Sequence, residues 1–108
     1  MIARVWHGRI RAQDANEYVR YIEGTGLADY RSCRGNRGAM MLVRRSGEEA
    51  EVFTISLWDS YDDIAQFAGA DISKARYYPQ DEQYLLEFEE TVRHFDAVGE
   101  IEALKAVL

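Results

Sequence analysis

The side chains best suited to chemistry in this chain are two histidines and a pair of adjacent tyrosines. His7 lies near the N-terminus, His94 comes late in the chain, and Tyr77 and Tyr78 stand directly before Pro79. An imidazole titrates near neutral pH and can remove a proton as a general base. A tyrosine hydroxyl can stabilise negative charge that develops on a phenolate or carbonyl oxygen. These residue types favour a small, mostly apolar pocket in which a substrate loses a proton.

Each candidate also has a structural alternative. Either histidine could be a core residue that bonds a neighbouring carbonyl or carboxylate. The tyrosines could close one end of the core with their hydroxyls in water. Three further aromatic residues could form pocket walls, although such residues more commonly pack a core. They are Tyr30, Trp58 and Phe67.

Several classes of site have no motif in this sequence. It contains no glycine-rich phosphate loop of the G-x-G-x-x-G or Walker type, so a nucleotide or flavin has no visible cradle. The two histidines and the single cysteine, Cys33, lack the spacing of metal ligands. One cysteine cannot form an intramolecular disulfide, which suits a reducing compartment. We therefore expect no cofactor, no metal and a cytoplasmic location.

The charge of the chain is unevenly distributed. Residues 1–45 carry nine arginines against four acids, whereas residues 46–108 carry four bases against fifteen acids. The arginine-rich stretch could meet phosphates, but the chain is acidic overall, with a pI near 4.9. No apolar run approaches the roughly 20 residues that a bilayer requires. We expect neither a nucleic-acid partner nor a membrane span or signal peptide.

The first half of the chain predicts a strand, a long helix and a hairpin. Side chains alternate along residues 2–11, which indicates a strand whose two faces both need cover. A helix follows from about Asp14 to Ser32, bent or interrupted by two glycines, each of which disfavours helix. Residues 39–45 lie between two turn-forming segments, and residues 52–58, which are rich in β-branched and aromatic residues, follow the second turn; the pair predicts the two strands of a hairpin.

The second half predicts two more helical segments and a last strand. Ser60 has the spacing of a helix cap, and a short amphipathic helix should run from it to Gly69. Residues 71–78 are typical of one helical turn plus a connector. Pro79 can begin a further helix, since proline is tolerated at a first helical position. Residues 90–98 alternate again and predict a strand.

In chain order these elements form the β-α-β-β-α-β pattern of a ferredoxin-like α+β fold, an antiparallel sheet with helices on one face. Residues 1–98 make up the domain, and residues 99–108 predict a helical tail that docks on another surface. The second face of the sheet would expose Trp6 and other apolar residues to water. A symmetric homodimer would cover that face, and we expect one.

Four segments of the sequence carry a family resemblance. They are MIARVWHG (1–8), RGAMMLVRR (37–45), FTISLWDS (53–60) and TVRHF (91–95). With the helix between the first two, they resemble the antibiotic biosynthesis monooxygenase family over residues 1–98. The resemblance implies a dimeric α+β barrel, in which two ferredoxin-like sheets face each other and each subunit holds a pocket between its helices and its sheet. It also implies that His7 faces the helices, beside that pocket.

The resemblance extends to two kinds of chemistry. Some relatives with this fold oxidise phenolic polyketides with O₂ and no cofactor, whereas others bind and degrade haem. The haem-degrading members use an asparagine, a tryptophan and a histidine, and His7, Phe67 and Tyr77 occupy those places here. Haem is therefore an alternative only, with Tyr77 or His7 as the candidate ligand.

The main hypothesis is a cofactor-independent monooxygenase that oxidises a phenol- or quinol-like small molecule with O₂. His7 would remove a proton, and Tyr77 or Tyr78 would stabilise the resulting oxyanion. The expected substrate-binding residues are Tyr30, Trp58, Phe67 and His94. The alternatives are a dimer that binds a hydrophobic small molecule without chemistry, and a haem-binding or haem-degrading protein.

Overall fold

In this computed structural model, residues 1–87 and 89–99 are described, and they form a five-stranded antiparallel sheet with helices. The strands are Ile2–Arg11 (β1), Asn36–Ser46 (β2), Glu49–Trp58 (β3), Leu85–Glu87 (β4) and Arg93–Asp96 (β5). The α-helices are Ala15–Gly24 (α1), Gly26–Ser32 (α2), Tyr61–Ala68 (α3) and Asp81–Tyr84 (α4), and a 3₁₀ turn, Ala12–Asp14, precedes α1. None of the helices in this part of the chain is long and apolar enough to span a bilayer.

The strand order is β2-β3-β1-β4, and β5 also pairs with β1. β4 pairs with Arg9 and Ile10 near the end of β1, whereas β5 pairs with its first residues, Ile2 to Val5. The outer position beside β1 is thus shared by two short strands. The sheet order and the helices confirm the expected ferredoxin-like α+β fold.

Alternation along the two central strands decides which side chains meet the helices. In β1 the buried set includes Ile2, Arg4, Trp6 and Ile10. In β3 it includes Val52, Thr54, Ser56 and Trp58. Helical side chains such as Tyr18, Ile22, Leu27, Ile64 and Phe67 complete the core on this face.

Two local expectations are confirmed by backbone geometry. The first helix is interrupted at Thr25, whose φ of −120° and ψ of −88° are not helical, and its hydroxyl donates to the Tyr21 carbonyl. Ser60 caps α3, because its Oγ accepts a hydrogen bond from the Asp63 N–H at 3.2 Å. The interruption lies between Gly24 and Gly26, and the cap is formed by the Ser60 and Asp63 pair, as the sequence predicts.

The region after α3 differs from expectation. Residues 69–80, here called the connector, contain no helix but a hydrogen-bonded turn, in which the Lys74 N–H donates to the Asp71 carbonyl at 3.2 Å, and an isolated β-bridge between Lys74 and Thr91. The helix expected after Pro79 is limited to α4, and Leu85–Glu87 is a strand. The last strand is shorter than residues 90–98. The Arg4 guanidinium fixes this segment against β1, because it donates to the carbonyls of Ile72 and Lys74. The expected tail, except Gly99, lies outside the described residues.

The sheet face opposite the helices is called the open face. It was expected to expose Trp6, but that was wrong, because Trp6 belongs to the buried set of β1. Cross-strand partners share a face, so Val5, Phe53 and Ile55 lie on the open face with the exposed side chains of Leu42 and Phe95. The open face is therefore apolar, although through other residues than expected.

Candidate functional site

A cavity lies between the sheet, the helices and the connector. Its volume is about 30 Å³. The walls combine aromatic rings with polar groups, among them Trp6, Tyr18, Tyr30, Phe67, Tyr77 and Tyr78. Small-molecule sites characteristically have this mixture of apolar surface and a few placed polar groups.

A hydrogen-bonded chain forms one wall of the cavity. The Trp6 indole Nε1–H donates to the Tyr77 hydroxyl oxygen at 3.2 Å, and the Tyr77 hydroxyl donates to the Glu89 backbone carbonyl. Burial raises the pKa of the Tyr77 hydroxyl, so this group stays protonated at neutral pH. These two hydrogen bonds fix the orientation of the Trp6 and Tyr77 rings at the cavity surface.

Tyr78 and Arg76 form the mouth of the cavity. The Arg76 guanidinium lies 5.0 Å from the centre of the Phe67 ring and 5.5 Å from that of Tyr78, which are cation–π distances. The Tyr78 hydroxyl donates to Asp29 Oδ2. Burial, followed by this carboxylate, raises the pKa of the Tyr78 hydroxyl. The mouth therefore carries one cation and one neutral phenol.

Asp81 is the one carboxyl side chain among the described residues that line the cavity. Only 3% of the residue is exposed. Its Oδ2 accepts the Tyr78 backbone N–H at 2.6 Å, whereas its Oδ1 is buried without a hydrogen-bond partner in the described structure. Burial raises the pKa of this carboxyl. The carboxyl also adds to the raised pKa of Tyr18, after burial of that phenol.

Sequence reasoning missed Asp81. It is the first residue of α4, and acids in a first helical turn usually face solvent and favour the helix dipole. Nothing in the local pattern distinguishes it from Glu82, which is exposed. Its burial depends on the connector, which folds over the sheet and carries α4 with it.

Four of the expected site residues line this cavity, namely Tyr30, Phe67, Tyr77 and Tyr78. Trp58 packs behind them, with its ring centre 6.0 Å from those of Tyr30 and Phe67 and its Nε1–H donating to Ser56 Oγ at 2.9 Å. It supports the wall rather than lining the cavity.

His94 lies on the helix side of the sheet but does not line the cavity. Its Nε2 is 3.2 Å from Arg4 Nη1, and its ring lies edge-on to Tyr61. Burial, together with the Arg4 charge, lowers the pKa of the His94 imidazole. A neutral imidazole can accept the guanidinium hydrogen bond, which fits the structural alternative for this residue.

The expected position of His7 was wrong. Trp6 points toward the helices, so its neighbour points to the open face, and the imidazole packs at 4.7 Å on Phe53. Its Nε2 lies 3.1 Å from Glu51 and its Nδ1 2.8 Å from Glu89. His7 is therefore separated from the cavity by the sheet and cannot act as the base there. Glu89 links the two faces, because its backbone carbonyl accepts from Tyr77.

The cavity does not fit a haem. About 30 Å³ is far below the space that a porphyrin occupies. The Tyr77 hydroxyl is engaged with Trp6 and Glu89, and His7 is on the other face of the sheet. Among residues 1–87 and 89–99, no cluster of three or more histidine, cysteine or acidic side chains could hold a metal ion.

Comparison with solved structures supports the fold. The chain is similar to "Structure of Rv0793 from Mycobacterium tuberculosis", with 17% sequence identity and a TM-score of 0.54. The match covers 93% of this chain and 98% of that one. No protein-family model matches the sequence, and no curated protein is significantly similar to it. At this identity, the likeness to the mycobacterial protein establishes a shared ferredoxin-like fold and no more.

Proposed function

We propose that this chain is a monooxygenase that oxidises a phenol- or quinol-like small molecule with O₂ and without a cofactor. The observation that carries the proposal is the cavity wall, where aromatic rings and the Trp6–Tyr77 hydrogen bond meet beside a buried carboxyl. Flat aromatic ligands gain from ring surfaces, and a phenol also needs polar partners for its hydroxyl.

The substrate itself would supply the electrons. An ionised phenol is electron-rich and can reduce O₂, and the overall change from phenol and O₂ to quinone and water is balanced in atoms and electrons. The chain would bind the ring, exclude water and stabilise the oxyanion. The Tyr77 hydroxyl would turn from the Glu89 carbonyl toward the substrate oxygen, while Trp6 still donates to it.

The cavity must widen to admit such a ligand. A cavity of roughly 150 Å³ accommodates benzene, whereas the present volume is about 30 Å³. Arg76 is the most readily displaced wall, because about half of its side chain is exposed. A substrate ring could replace its guanidinium on the face of Phe67. Binding should therefore move Arg76 and Tyr78 outward.

The small cavity volume favours a second candidate, a protein that binds a hydrophobic small molecule without chemistry. In that case Tyr77 and Asp81 would be recognition groups. Saturable binding without oxygen consumption would identify this function.

We also propose that the open face mediates a homodimer. Its apolar surface includes Leu42 on β2 and Phe95 on β5, whose side chains are about half exposed. Arg44 and Glu51 form an ion pair at its margin. A two-fold axis places the same patch of two copies face to face, so one patch covers the other. Such pairing would produce the barrel of two facing sheets.

Oxygen consumption tests the proposed reaction. The purified protein should consume O₂ in a saturable way with phenol or anthrone and form the corresponding quinone, and Tyr77→Phe should lower kcat about 100-fold, as for loss of one oxyanion donor. Tyr61→Phe is the matched control, because Tyr61 is exposed on α3 and outside the cavity. Equal rates for the wild type and Tyr77→Phe would reject the role of Tyr77, and absence of uptake would reject the oxygenase.

A further inference from the structure

We propose that Asp81 is the proton acceptor of the cavity, with its free oxygen, Oδ1, receiving the hydroxyl proton of a bound phenol. The inference takes its substrate class from the proposed function. It assigns to Asp81 the role that the sequence suggested for His7.

Asp81 Oδ1 is a buried oxygen without a hydrogen-bond partner in the described structure. Buried carboxyl oxygens almost always have hydrogen-bond partners, because losing water without a replacement is unfavourable. In the described structure two other buried side-chain atoms share this condition, Arg4 Nε and Asn36 Nδ2, and neither residue lines the cavity. Of these three atoms, only Asp81 Oδ1 belongs to a residue that lines the cavity. A ligand hydroxyl would supply the missing hydrogen bond.

The Asp81 carboxyl is also held in one orientation. The Tyr78 backbone N–H holds Asp81 Oδ2 at 2.6 Å, so the carboxyl cannot rotate freely. Asp81 also lies near Tyr18 and Tyr77, and its negative charge contributes to the raised pKa of both phenols. A general base must meet the proton it removes at hydrogen-bond distance. This arrangement presents one carboxylate oxygen in a constant direction.

The surroundings of Asp81 also increase its strength as a base. Burial raises the pKa of the Asp81 carboxyl, which makes the ionised form a stronger base than an exposed aspartate. No histidine lines the cavity in the described part of the chain. Asp81 is consequently the candidate base with both the position and the basicity.

The proposed step is balanced. The phenol O–H bond breaks and its proton passes to Asp81 Oδ1. The phenolate ring is oxidised and O₂ is reduced: one oxygen atom forms a carbon–oxygen bond as the O–O bond breaks. The other oxygen leaves as water with the proton returned by Asp81 and the hydrogen lost from the same ring carbon. The sum is phenol plus O₂ giving quinone plus water.

A pair of ligands tests the hydrogen bond directly. Phenol and anisole have similar shapes, but anisole has no hydroxyl proton. We expect calorimetry to show that the wild type binds phenol at least about 10-fold more tightly than anisole. In Asp81→Asn the amide oxygen must take the Tyr78 N–H, which leaves a donor at the free position. That variant should lose the preference, whereas Asp62→Asn, an exposed substitution in α3, should keep it.

Turnover of phenol to quinone separates the inference from the function. Asp81→Asn should lower kcat about 100-fold, and formate should partly restore activity to Asp81→Ala. An unchanged phenol preference in Asp81→Asn would overturn the inference, even if O₂ is consumed. A preference lost in Asp81→Asn, with a wild type that consumes no O₂, would overturn the oxygenase and leave Asp81 as acceptor of the ligand hydroxyl. No saturable phenol binding would overturn both.

Discussion

At the scale of single residues, the cavity and the strand behind its wall show two features that ordinary core packing avoids. Asp81 holds a buried carboxyl oxygen without a partner in the described structure. Gly8 leaves space for the Trp6 ring, since a Cβ on Gly8 would lie 2.5 Å from that ring. Residues that reduce stability in this way are most common at functional sites. The Trp6 ring can therefore occupy its position only because Gly8 has no side chain.

Replacing Asp81 by asparagine should stabilise the protein at neutral pH. Burial raises the pKa of the folded carboxyl above its ordinary 3.8. As pH rises through 3.8, the Asp81 carboxyl ionises in the unfolded chain but stays protonated in the folded chain. The free energy of unfolding therefore falls until the pH reaches the higher pKa of the folded carboxyl. Asp81→Asn lacks this loss and should be about 1 kcal/mol more stable at pH 7.

Urea denaturation at pH 7 and pH 3 measures this effect. The gap between the wild type and Asp81→Asn should shrink toward pH 3, below the ordinary carboxyl pKa of 3.8, where the carboxyl is mostly protonated in the folded and the unfolded chain alike. A variant less stable than the wild type at pH 7 would indicate that Asp81 serves the fold and not a ligand.

At the scale of elements, the connector positions most of the polar groups of the site. Arg4 is 1% exposed, and its guanidinium donates to the carbonyls of Ile72 and Lys74. The N–H groups of Val92 and Ala75 bind the Ser73 and Glu90 carbonyls. Tyr77, Tyr78 and Asp81 follow directly, so the geometry of the cavity depends on these bonds.

Sequence patterns predicted the elements better than the faces of the strands. The strand β1, the helix break at Thr25 and the Ser60 cap each follow from local chemistry, and each was confirmed. Alternation in β1 offers two sets of side chains, and each contains arginine, so charge alone does not decide which set is buried. The Arg4 guanidinium is buried because connector carbonyls that are distant in sequence bind it. The positions of His7 and Asp81 depend on the same long-range contacts and could not be predicted locally.

Replacing Arg4 by methionine should loosen the connector. Methionine conserves most of the volume but leaves the Ile72 and Lys74 carbonyls without the guanidinium. We expect the free energy of unfolding to fall by about 3 kcal/mol. Amide hydrogen exchange at Ala75 should accelerate, since its N–H bond to Glu90 closes the same segment.

Arg20→Met is the control for this change, because Arg20 is exposed on α1. It should alter the free energy of unfolding by less than about 0.5 kcal/mol. Equal effects of the two substitutions would show that Arg4 does not hold the connector.

At the scale of the whole molecule, the two faces of the sheet have different tasks. The helix side contains the core and the cavity, whereas the open face carries His7, Phe53 and the exposed Leu42. Glu89 touches both sides, through its carbonyl at Tyr77 and its carboxylate at His7. A dimer interface formed by two open faces would thus lie next to Glu89, whose backbone carbonyl holds Tyr77 in the cavity wall.

Adjacent residues of β2 provide a matched test of the homodimer. Leu42 lies on the open face opposite Phe53, and Val43 points to the other side of the sheet. Leu42→Asp should weaken the dimer at least about 100-fold in sedimentation equilibrium, because a charge would be buried in the interface. Val43→Asp should remain within a few-fold of the wild type. A wild type that sediments at 12.4 kDa at micromolar concentration would contradict the homodimer.

The most direct test of the central claim is a phenol titration followed by NMR of the tryptophan indole N–H groups. The chain has two tryptophans; Trp6 lines the cavity, whereas Trp58 donates to Ser56 behind its wall. Binding in the cavity should shift the Trp6 signal saturably, shift the Trp58 signal much less and leave the His7 ring unchanged. A saturable shift of His7 with an unchanged Trp6 would place the ligand on the open face and contradict the assignment of the cavity.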